Sequence, residues 1–229
     1  VDVAQAQAQD ANRANNVRAT SDEAIVVPVR QAFSPVLKYK WTAGQVMMSP
    51  VVGPLHDTNG DGRIDSRDTP RIVFTSYSGG YQAPSTLRAI DGATGTELFA
   101  VPPAVFGGLY SQTGLVIADV DADGVPEIVG VRQGNGTSIK EGVVVLDNMG
   151  RVKWQADVIV VLAPSVADID GDGLPEVLAG DKVFNGNGTL KFSLAGCRGS
   201  AYAVRVLPTS TTQQIVCGSS LYDTNGTLL

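Results

Sequence analysis

Short apolar runs of Val, Ile and Leu alternate along the chain with clusters of Gly, Asn and Asp. Short runs bounded by turn residues are typical of β-strands. From residue 45 onward the runs fall into four similar groups, which indicates a repeat protein. The predicted strands are 46–55, 71–76, 87–90 and 97–101; 115–118, 127–131, 143–146 and 152–156; 164–167, 176–179, 182–184 and 190–192; and 202–207, 214–218, 221–222 and 228–229.

The turns between the third and fourth strands of each group resemble one another, and they lie at 91–95, 147–150, 185–188 and 223–226. Their Asp, Asn and Gly residues tolerate the positive φ of tight turns. Four antiparallel strands per repeat are the arrangement of a propeller blade. We therefore predict an all-β protein, a β-propeller of four-stranded antiparallel blades. About four blades are expected, roughly at 45–105, 106–160, 161–196 and 197–229. The fourth strand of the last repeat is short, which would leave an unpaired sheet edge. Unpaired edges tend to pair with another strand, so we expect these blades to be part of a larger propeller.

One short acidic loop carries the strongest chemical signal. Three aspartates alternate in it, a glycine follows and a glutamate closes the run. Four carboxylates this close repel one another unless a cation lies among them, and oxygen ligands of this kind suit calcium. The glycine takes a turn that a Cβ would obstruct. The predicted ligands are Asp168, Asp170, Asp172, the Leu174 carbonyl and Glu176.

The same loop recurs 49 residues earlier, with its glycine and proline at matching positions. A solvated acidic turn is the alternative explanation for one such loop, but recurrence with every position matched favours a metal. The predicted ligands in this second loop are Asp119, Asp121, Asp123, the Val125 carbonyl and Glu127.

A longer acidic loop lies in the first unit, where Arg71 stands in the position of the closing glutamate. This loop resembles the calcium loop of an EF-hand or dockerin, with Asp65 or Asp68 replacing that glutamate. With calcium here too, the chain would bind about three ions. The predicted ligands are Asp57, Asn59, Asp61, Arg63, Asp65 and Asp68. The fourth unit lacks acids at 207–214 and is expected to bind no metal.

The second and third loops are each followed by Pro-Glu and a β-branched residue, at 118–129 and 167–178. These motifs resemble the FG-GAP and VCBS repeats of calcium-binding β-propellers, the class that includes the integrin α-subunit head. The resemblance covers roughly 45–229. It implies calcium in the loop between the first two strands of a blade, on one rim, and it implies adhesion or ligand binding rather than catalysis.

Charge and cysteine content narrow the choice of partner and compartment. The 229 residues carry a net charge of −6 with a pI near 4.7, which argues against nucleic acid. No apolar run reaches the length of a membrane helix, so membrane insertion is not expected. Cys197 and Cys217 are either disulfide-bonded in an oxidising compartment or two free thiols. We expect an extracellular or cell-surface location, where calcium is abundant.

The N-terminal region does not share the pattern of the repeats. Residues 1–24 are rich in Ala, Gln and Asn and form a low-complexity arm or linker. Residues 25–44 form a lead-in segment, in which the alternation at 37–41 predicts a strand and places Trp41 in the core. The aromatic residues Tyr77, Tyr81, Phe106 and Tyr110 are either a recognition surface or the edge of the core.

The sequence indicates a calcium-stabilised extracellular module for adhesion, binding or structure, with a protein or carbohydrate ligand on the propeller rim. Self-assembly is the first alternative, with residues 1–24 as the arm of a surface filament or sheath subunit. A carbohydrate-active or quinone-dependent enzyme is the second, because residues 89–99 resemble the blade motif of quinoproteins. No catalytic constellation is visible. His56 is the only histidine, and the acids outside the loops are Glu141, Asp157 and Asp181.

Overall fold

The computed structural model describes residues 35–80, 83–135, 138, 140–159, 162–207 and 212–229. The predicted arm 1–24, residues 25–34 of the lead-in segment and Tyr81 lie outside this part of the chain. Contacts divide the chain into two compact units, Val1–Lys38 and Tyr39–Leu229. Of the compact unit Val1–Lys38, residues 35–38 are described; they are exposed and belong to no strand.

The compact unit Tyr39–Leu229 folds into four antiparallel sheets in chain order, which confirms the all-β class. The first sheet contains β1 (Val51–Gly53), β2 (Arg71–Ser76), β3 (Thr86–Asp91) and β4 (Glu97–Val101). The second contains β5 (Val116–Ala118), β6 (Glu127–Arg132), β7 (Gly142–Leu146) and β8 (Val152–Asp157). The third contains β9 (Ser165–Ala167), β10 (Glu176–Ala179), β11 (Lys182–Asn185) and β12 (Leu190–Ser193). The fourth contains β13 (Ala201–Val204), β14 (Gln214–Cys217) and β15 (Ser220–Tyr222), with Leu228 bridged to Tyr222.

Most predicted strands agree with the observed ones to within one or two residues, but two predictions fail. The strand predicted at 46–55 is reduced to β1, because Pro50 and Pro54 bracket it and proline donates no ladder hydrogen bond. The strand predicted at 37–41 is absent from the described structure, since these residues pair with no strand of the four sheets. Trp41 is partly buried rather than in the core, and its ring stands edge-on to Phe74 with centroids 5.0 Å apart.

Consecutive sheets pack against each other through three apolar clusters. Side chains alternate between the two faces of a strand, so the second and third sheets each offer one face to the sheet before and the other to the sheet after. Burying each large side chain contributes about 1.5–3 kcal/mol. The clusters include Val73 with Ile128, Val129 with Val177, and Leu178 with Ile215.

A glycine–aromatic contact fixes each sheet to the next. In the second, third and fourth sheets, the last glycine of the hairpin turn has positive φ and lies under an aromatic ring from the fourth strand of the preceding sheet. A Cβ built at Gly188 would lie 2.7 Å from ring atoms of Trp154, so no other residue fits there without movement. The equivalent contacts are Phe99 on Gly150 and Phe192 on Gly226.

A disulfide joins Cys197 to Cys217, with Cα atoms 5.5 Å apart. Cys197 precedes the fourth sheet and Cys217 lies in its second strand, and both belong to the cluster between the third and fourth sheets. The bond therefore ties the fourth sheet to the segment that leads into it.

Candidate metal centre

The three acidic loops occupy the same place in their sheets, between the first and second strands. In the third loop, both carboxylate oxygens of Asp168 accept backbone N–H groups. The donors are Gly171 at 2.7 Å, Asp172 at 3.1 Å and Gly173 at 2.9 Å. Gly171 and Gly173 both have positive φ, which glycine adopts without strain. The loop thus wraps around its first aspartate.

The second loop folds in the same way around Asp119, which accepts the N–H groups of Asp123 at 3.1 Å and Gly124 at 2.8 Å. One position differs. Ala122 has φ 57° where Gly171 has φ 81° in the third loop. A Cβ in this conformation is strained, and the cost is about 1–2 kcal/mol.

In each of these two loops the structure brings three carboxylates together, with one oxygen from each within 4.8 Å of the others. The members are the first and second predicted ligands and the closing glutamate. The glutamates are buried, Glu127 fully and Glu176 to within 2%. Burial raises the pKa of Glu127, and the nearby Lys153 offsets only part of that effect. The groups are Asp119, Asp121 and Glu127, and Asp168, Asp170 and Glu176.

A lysine from the fourth strand lies against each group of carboxylates. Lys153 Nζ is 2.6 Å from Asp121 Oδ2 and 2.9 Å from Glu127 Oε1. Lys191 Nζ is 2.6 Å from Asp170 Oδ2 and 2.7 Å from Glu176 Oε1. Burial lowers the pKa of both lysines, but their hydrogen bonds to the carboxylates outweigh it and the net shift is upward.

Sequence reasoning missed these lysines, although a signal was present. Each precedes an aromatic residue at the same position of the fourth strand, and the first and fourth units carry Leu98 and Leu229 there. Those units also lack the glutamate, with Arg71 and Gln214 in its place. Within this chain, the lysine occurs where the glutamate occurs.

The residues present fit a hard divalent cation. Every side-chain donor in the two groups is a carboxylate oxygen, and Asp121 Oδ1 is buried without a hydrogen-bond partner. Oxygen donors in this number favour calcium over zinc or copper. Asp123 and Asp172 lie beside the groups, with Asp123 Oδ2 3.8 Å from Lys153 Nζ. Asp123 and Asp172 also cap the loop, each accepting the N–H two residues later, of Val125 and Leu174.

The first loop is arranged differently. Asp57 accepts the N–H groups of Gly60 and Gly62, as in the other loops. Asp68 is buried and turns toward the N–H groups of Thr58, Asn59 and Asp65. These donors lower its pKa. Hydrogen bonds from Arg67 hold the pKa of Asp65 at about 2.

Among the described residues, no third group of three acidic side chains converges in this way. Asn59 Oδ1 and Asp61 Oδ1 instead accept the N–H groups of Asp61 and Arg63. Calcium at the first loop, with its predicted ligands, stays a prediction.

In the fourth repeat, the closing residue still accepts hydrogen bonds from the loop, but it carries no charge. Gln214 Oε1 accepts the N–H groups of Val206 and Leu207, both at 3.1 Å. Glu127 and Glu176 make the corresponding bonds to Val120 and Ile169, at 2.9 and 3.0 Å. Residues 208–211 of this loop lie outside the described part of the chain. The closing residue therefore braces its loop whether or not it is ionised.

The remaining candidate groups have structural partners. His56 Nε2 is 3.1 Å from Met149 Sδ, and burial followed by the charge of Arg71 lowers its pKa. Asp157 pairs with Arg132, and Glu141 accepts the Tyr110 hydroxyl at 3.0 Å. Of the aromatic residues, Phe106 is buried in the first cluster and Tyr77 is bridged to Gln45.

Comparison with known proteins shows structural likenesses but no family. The chain matches no family model and no curated protein. It is similar to the biofilm matrix protein Bap1 of V. cholerae, at 30% identity and a TM-score of 0.68, over 85% of this chain and 33% of Bap1. It is also similar to the exotype rhamnogalacturonan lyase YesX, at 19% identity and a TM-score of 0.51, over 78% of this chain and 37% of that one.

The lyase likeness concerns the fold alone. The chain spans about a third of the length of each of these proteins. The FG-GAP and VCBS assignment has no family-model match and stays an inference from the loop motifs. Among the described residues, no helix is long and apolar enough to cross a membrane.

Proposed function

We propose that this chain is a calcium-stabilised extracellular β-propeller module with an adhesive or structural role. The observation that carries the proposal is the pair of acidic groups at equivalent loops of consecutive sheets. Loops held rigid in this way can present a ligand-binding rim, because a binding site on a fixed scaffold loses little entropy when it binds.

Two observations support the propeller arrangement. The first strands of the four sheets are neighbours in order, with β1 beside β5, β5 beside β9 and β9 beside β13. The three apolar clusters join the sheets face to face in the same order. Blades that radiate from adjacent inner strands have this relation.

Calcium would be held in the second loop by Asp119, Asp121, Asp123, the Val125 carbonyl and Glu127, and in the third loop by their equivalents. Bound there, the ion supplies positive charge that offsets carboxylate repulsion. The protein supplies the rest: backbone N–H groups orient the first aspartate, and the buried glutamate fixes the distance between the first two strands.

The adhesive or structural role is supported by the likeness to Bap1, a matrix protein of biofilms. The partner proposed is a protein or carbohydrate on the loop-bearing rim. An extracellular location agrees with that likeness and with the disulfide, since disulfides persist in oxidising compartments.

The proposal is tested by thermal unfolding with calcium and with chelator. Calcium should raise the melting temperature of the unmodified chain, because an ion bound only by the folded state stabilises it. Asp121→Ala combined with Asp170→Ala should abolish that rise. Removing one ligand from each loop disrupts both groups of carboxylates.

The matched control is Asp181→Ala together with Asp223→Ala, which removes the same charge outside the acidic loops. This variant should keep the calcium response. Equal melting temperatures of the unmodified chain in calcium and in chelator would contradict the proposal.

A further inference from the structure

We propose that the third and fourth sheets each hold the acidic loop of the preceding sheet in the shape that binds metal. Gly186 does so for the second loop and Gln213 for the third. Neither residue is among the proposed ligands, and each acts through the backbone of a loop that carries ligands. The inference rests on the calcium sites proposed above and adds the residues outside the loops that position them.

The first observation is a backbone contact between Gly186 and the second loop. Gly186 is the second residue of the hairpin turn 185–188 in the third sheet. A Cβ built on it would lie 1.7 Å from the carbonyl oxygen of Val120 and 3.2 Å from the Cα atom of Asp121. Both neighbours are backbone atoms, which cannot rotate away as a side chain can. The turn of the third sheet is therefore packed directly against the peptide that leads into Asp121.

Hydrogen bonds hold this contact from both sides. Trp154 Nε1, on β8 of the second sheet, donates to the carbonyl of Gly186 at 2.8 Å. The N–H group of Val120 donates to Glu127 Oε2 at 2.9 Å. Val120 is 1% exposed and belongs to the apolar cluster that the second and third sheets share. A shift of Gly186 would therefore displace Asp121 and Glu127, two members of the acidic group, relative to each other.

The third loop is held by a side chain instead. Gln213 Nε2, which lies just before β14 in the fourth sheet, donates to the carbonyl oxygen of Asp168 at 2.9 Å. Asp168 is the residue around which this loop wraps. The turn of the fourth sheet has Thr224 at the position of Gly186. Because threonine carries a Cβ, that turn cannot approach its loop as closely as Gly186 does, and Gln213 makes the contact.

The first loop has the same relation to the sheet that follows it. Asn148 Nδ2 donates to the carbonyl of Leu55 at 2.9 Å. Asn148 is the second residue of its hairpin turn, as Gly186 is, and Leu55 lies two residues before Asp57. Contact with the following sheet thus recurs at all three acidic loops, through three different residues. The recurrence indicates that the position of each loop depends on the next sheet.

A consequence is that calcium binding and the packing of neighbouring sheets are coupled. A contact that holds a loop in its binding shape raises the affinity for the ion, and the ion must strengthen that contact by the same factor. Residues that orient metal ligands from outside the site typically change metal affinity by about 10–100-fold when they are replaced. Calcium in the second loop would then fasten the second sheet to the third, and calcium in the third loop would fasten the third sheet to the fourth.

The test measures calcium affinity by titration calorimetry in two backgrounds that each leave one acidic group intact. Asp170→Ala leaves the second loop, and Asp121→Ala leaves the third. In the Asp170→Ala background, Gly186→Ala should weaken binding by about tenfold or more, and Gln213→Ala should have no effect. In the Asp121→Ala background the two results should be exchanged. The variant that carries both aspartate replacements gives the baseline.

Two further variants separate a local effect from general destabilisation. Trp154→Phe removes the N–H group that holds Gly186 but keeps an aromatic ring, as the first and third sheets have at this place. It should weaken the second loop by a smaller factor than Gly186→Ala. Gln155→Ala, on an exposed glutamine of β8, is the matched control for Gln213→Ala and should change the affinity of neither loop.

Hydrogen exchange in chelator gives a readout that needs no calcium. The N–H groups of Gly124 and Gly173 donate to the first aspartate of their loops. Gly186→Ala should speed exchange at Gly124 and leave Gly173 unchanged. Gln213→Ala should do the reverse.

Equal losses of affinity in both backgrounds, or no loss in the matching background, would overturn the inference. So would unchanged exchange at both glycines. Absence of calcium binding in both backgrounds, with the exchange pattern as expected, contradicts the proposed function and not the contacts that brace the loops.

Discussion

At the scale of single residues, one alanine distinguishes the two acidic loops. Ala122 and Gly171 stand at the same step of the turn with φ 57° and 81°, and both are exposed. No atom lies within 4 Å of a Cβ built at Gly171, so packing does not explain the glycine there. The difference between the loops is therefore one of backbone strain.

We predict that Ala122→Gly raises the free energy of unfolding by about 1 kcal/mol, because it relieves the left-handed strain of the alanine. Gly171→Ala should lower it by a similar amount. Urea unfolding with calcium measures both, and Ala93→Gly, in an exposed turn with negative φ, serves as the control that should not stabilise. A loss of stability in Ala122→Gly would contradict the argument.

The two lysines act at the same scale. Lys153 and Lys191 are partly buried, and each touches an aspartate and a buried glutamate, so each neutralises part of a cluster that calcium would also neutralise. An ammonium and a divalent ion compete for the same oxygens. We therefore expect the lysine to keep the loop in shape without metal and to weaken its affinity for metal.

We predict that Lys153→Met together with Lys191→Met lowers stability in chelator by about 2 kcal/mol, because a buried glutamate loses its charged partner. The rise in melting temperature on adding calcium should grow. Lys140→Met, on an exposed lysine outside the two loops, is the control. An unchanged calcium response would show that the lysines do not compete with metal.

At the scale of elements, the fourth sheet is fastened differently from the second and third. It carries Gln214 at the position of the glutamate and Leu229 at the fourth-strand position of the lysine. A disulfide fastens it instead, at the same cluster that joins it to the third sheet. A covalent link restricts the unfolded chain and needs no ion.

We predict that Cys197→Ala with Cys217→Ala lowers the free energy of unfolding by about 3 kcal/mol, as expected for a loop of this length. The loss should be the same with calcium and with chelator, because the acidic loops lie in other sheets. Chemical denaturation of the unmodified chain with and without reductant gives an independent value. A loss that calcium restores would contradict the separation of the two devices.

At the scale of the whole molecule, the order of the sheets follows the order of the chain. Three apolar clusters join the four sheets in this order, so the second and third sheets each pack against two neighbours. Among the described residues, Val52 of the first sheet and Tyr202 of the fourth are 62% and 44% exposed.

Much of the fold and the site was predictable from the sequence, for local reasons. Strand boundaries follow from apolar runs bounded by Gly, Asn and Asp. The hairpin turns are predictable because these same residues tolerate positive φ. The two acidic groups follow from spacing, since alternate residues of a tight loop turn toward one centre. The sequence left two possibilities for the cysteines, a disulfide or two free thiols, because spacing alone does not show whether two thiols face each other.

Other features depended on the tertiary structure, because they join residues far apart in sequence. Lys153 reaches Glu127 from the fourth strand of its sheet, and Asp68 accepts backbone N–H groups from across its own loop. The alternation at residues 37–41 predicts a strand, yet a strand forms only where a neighbouring strand pairs with its backbone. The sequence by itself determined the strands, turns and acidic loops, which depend on near neighbours. Only the tertiary structure decided how charges pair and which faces stay open, since packing sets both.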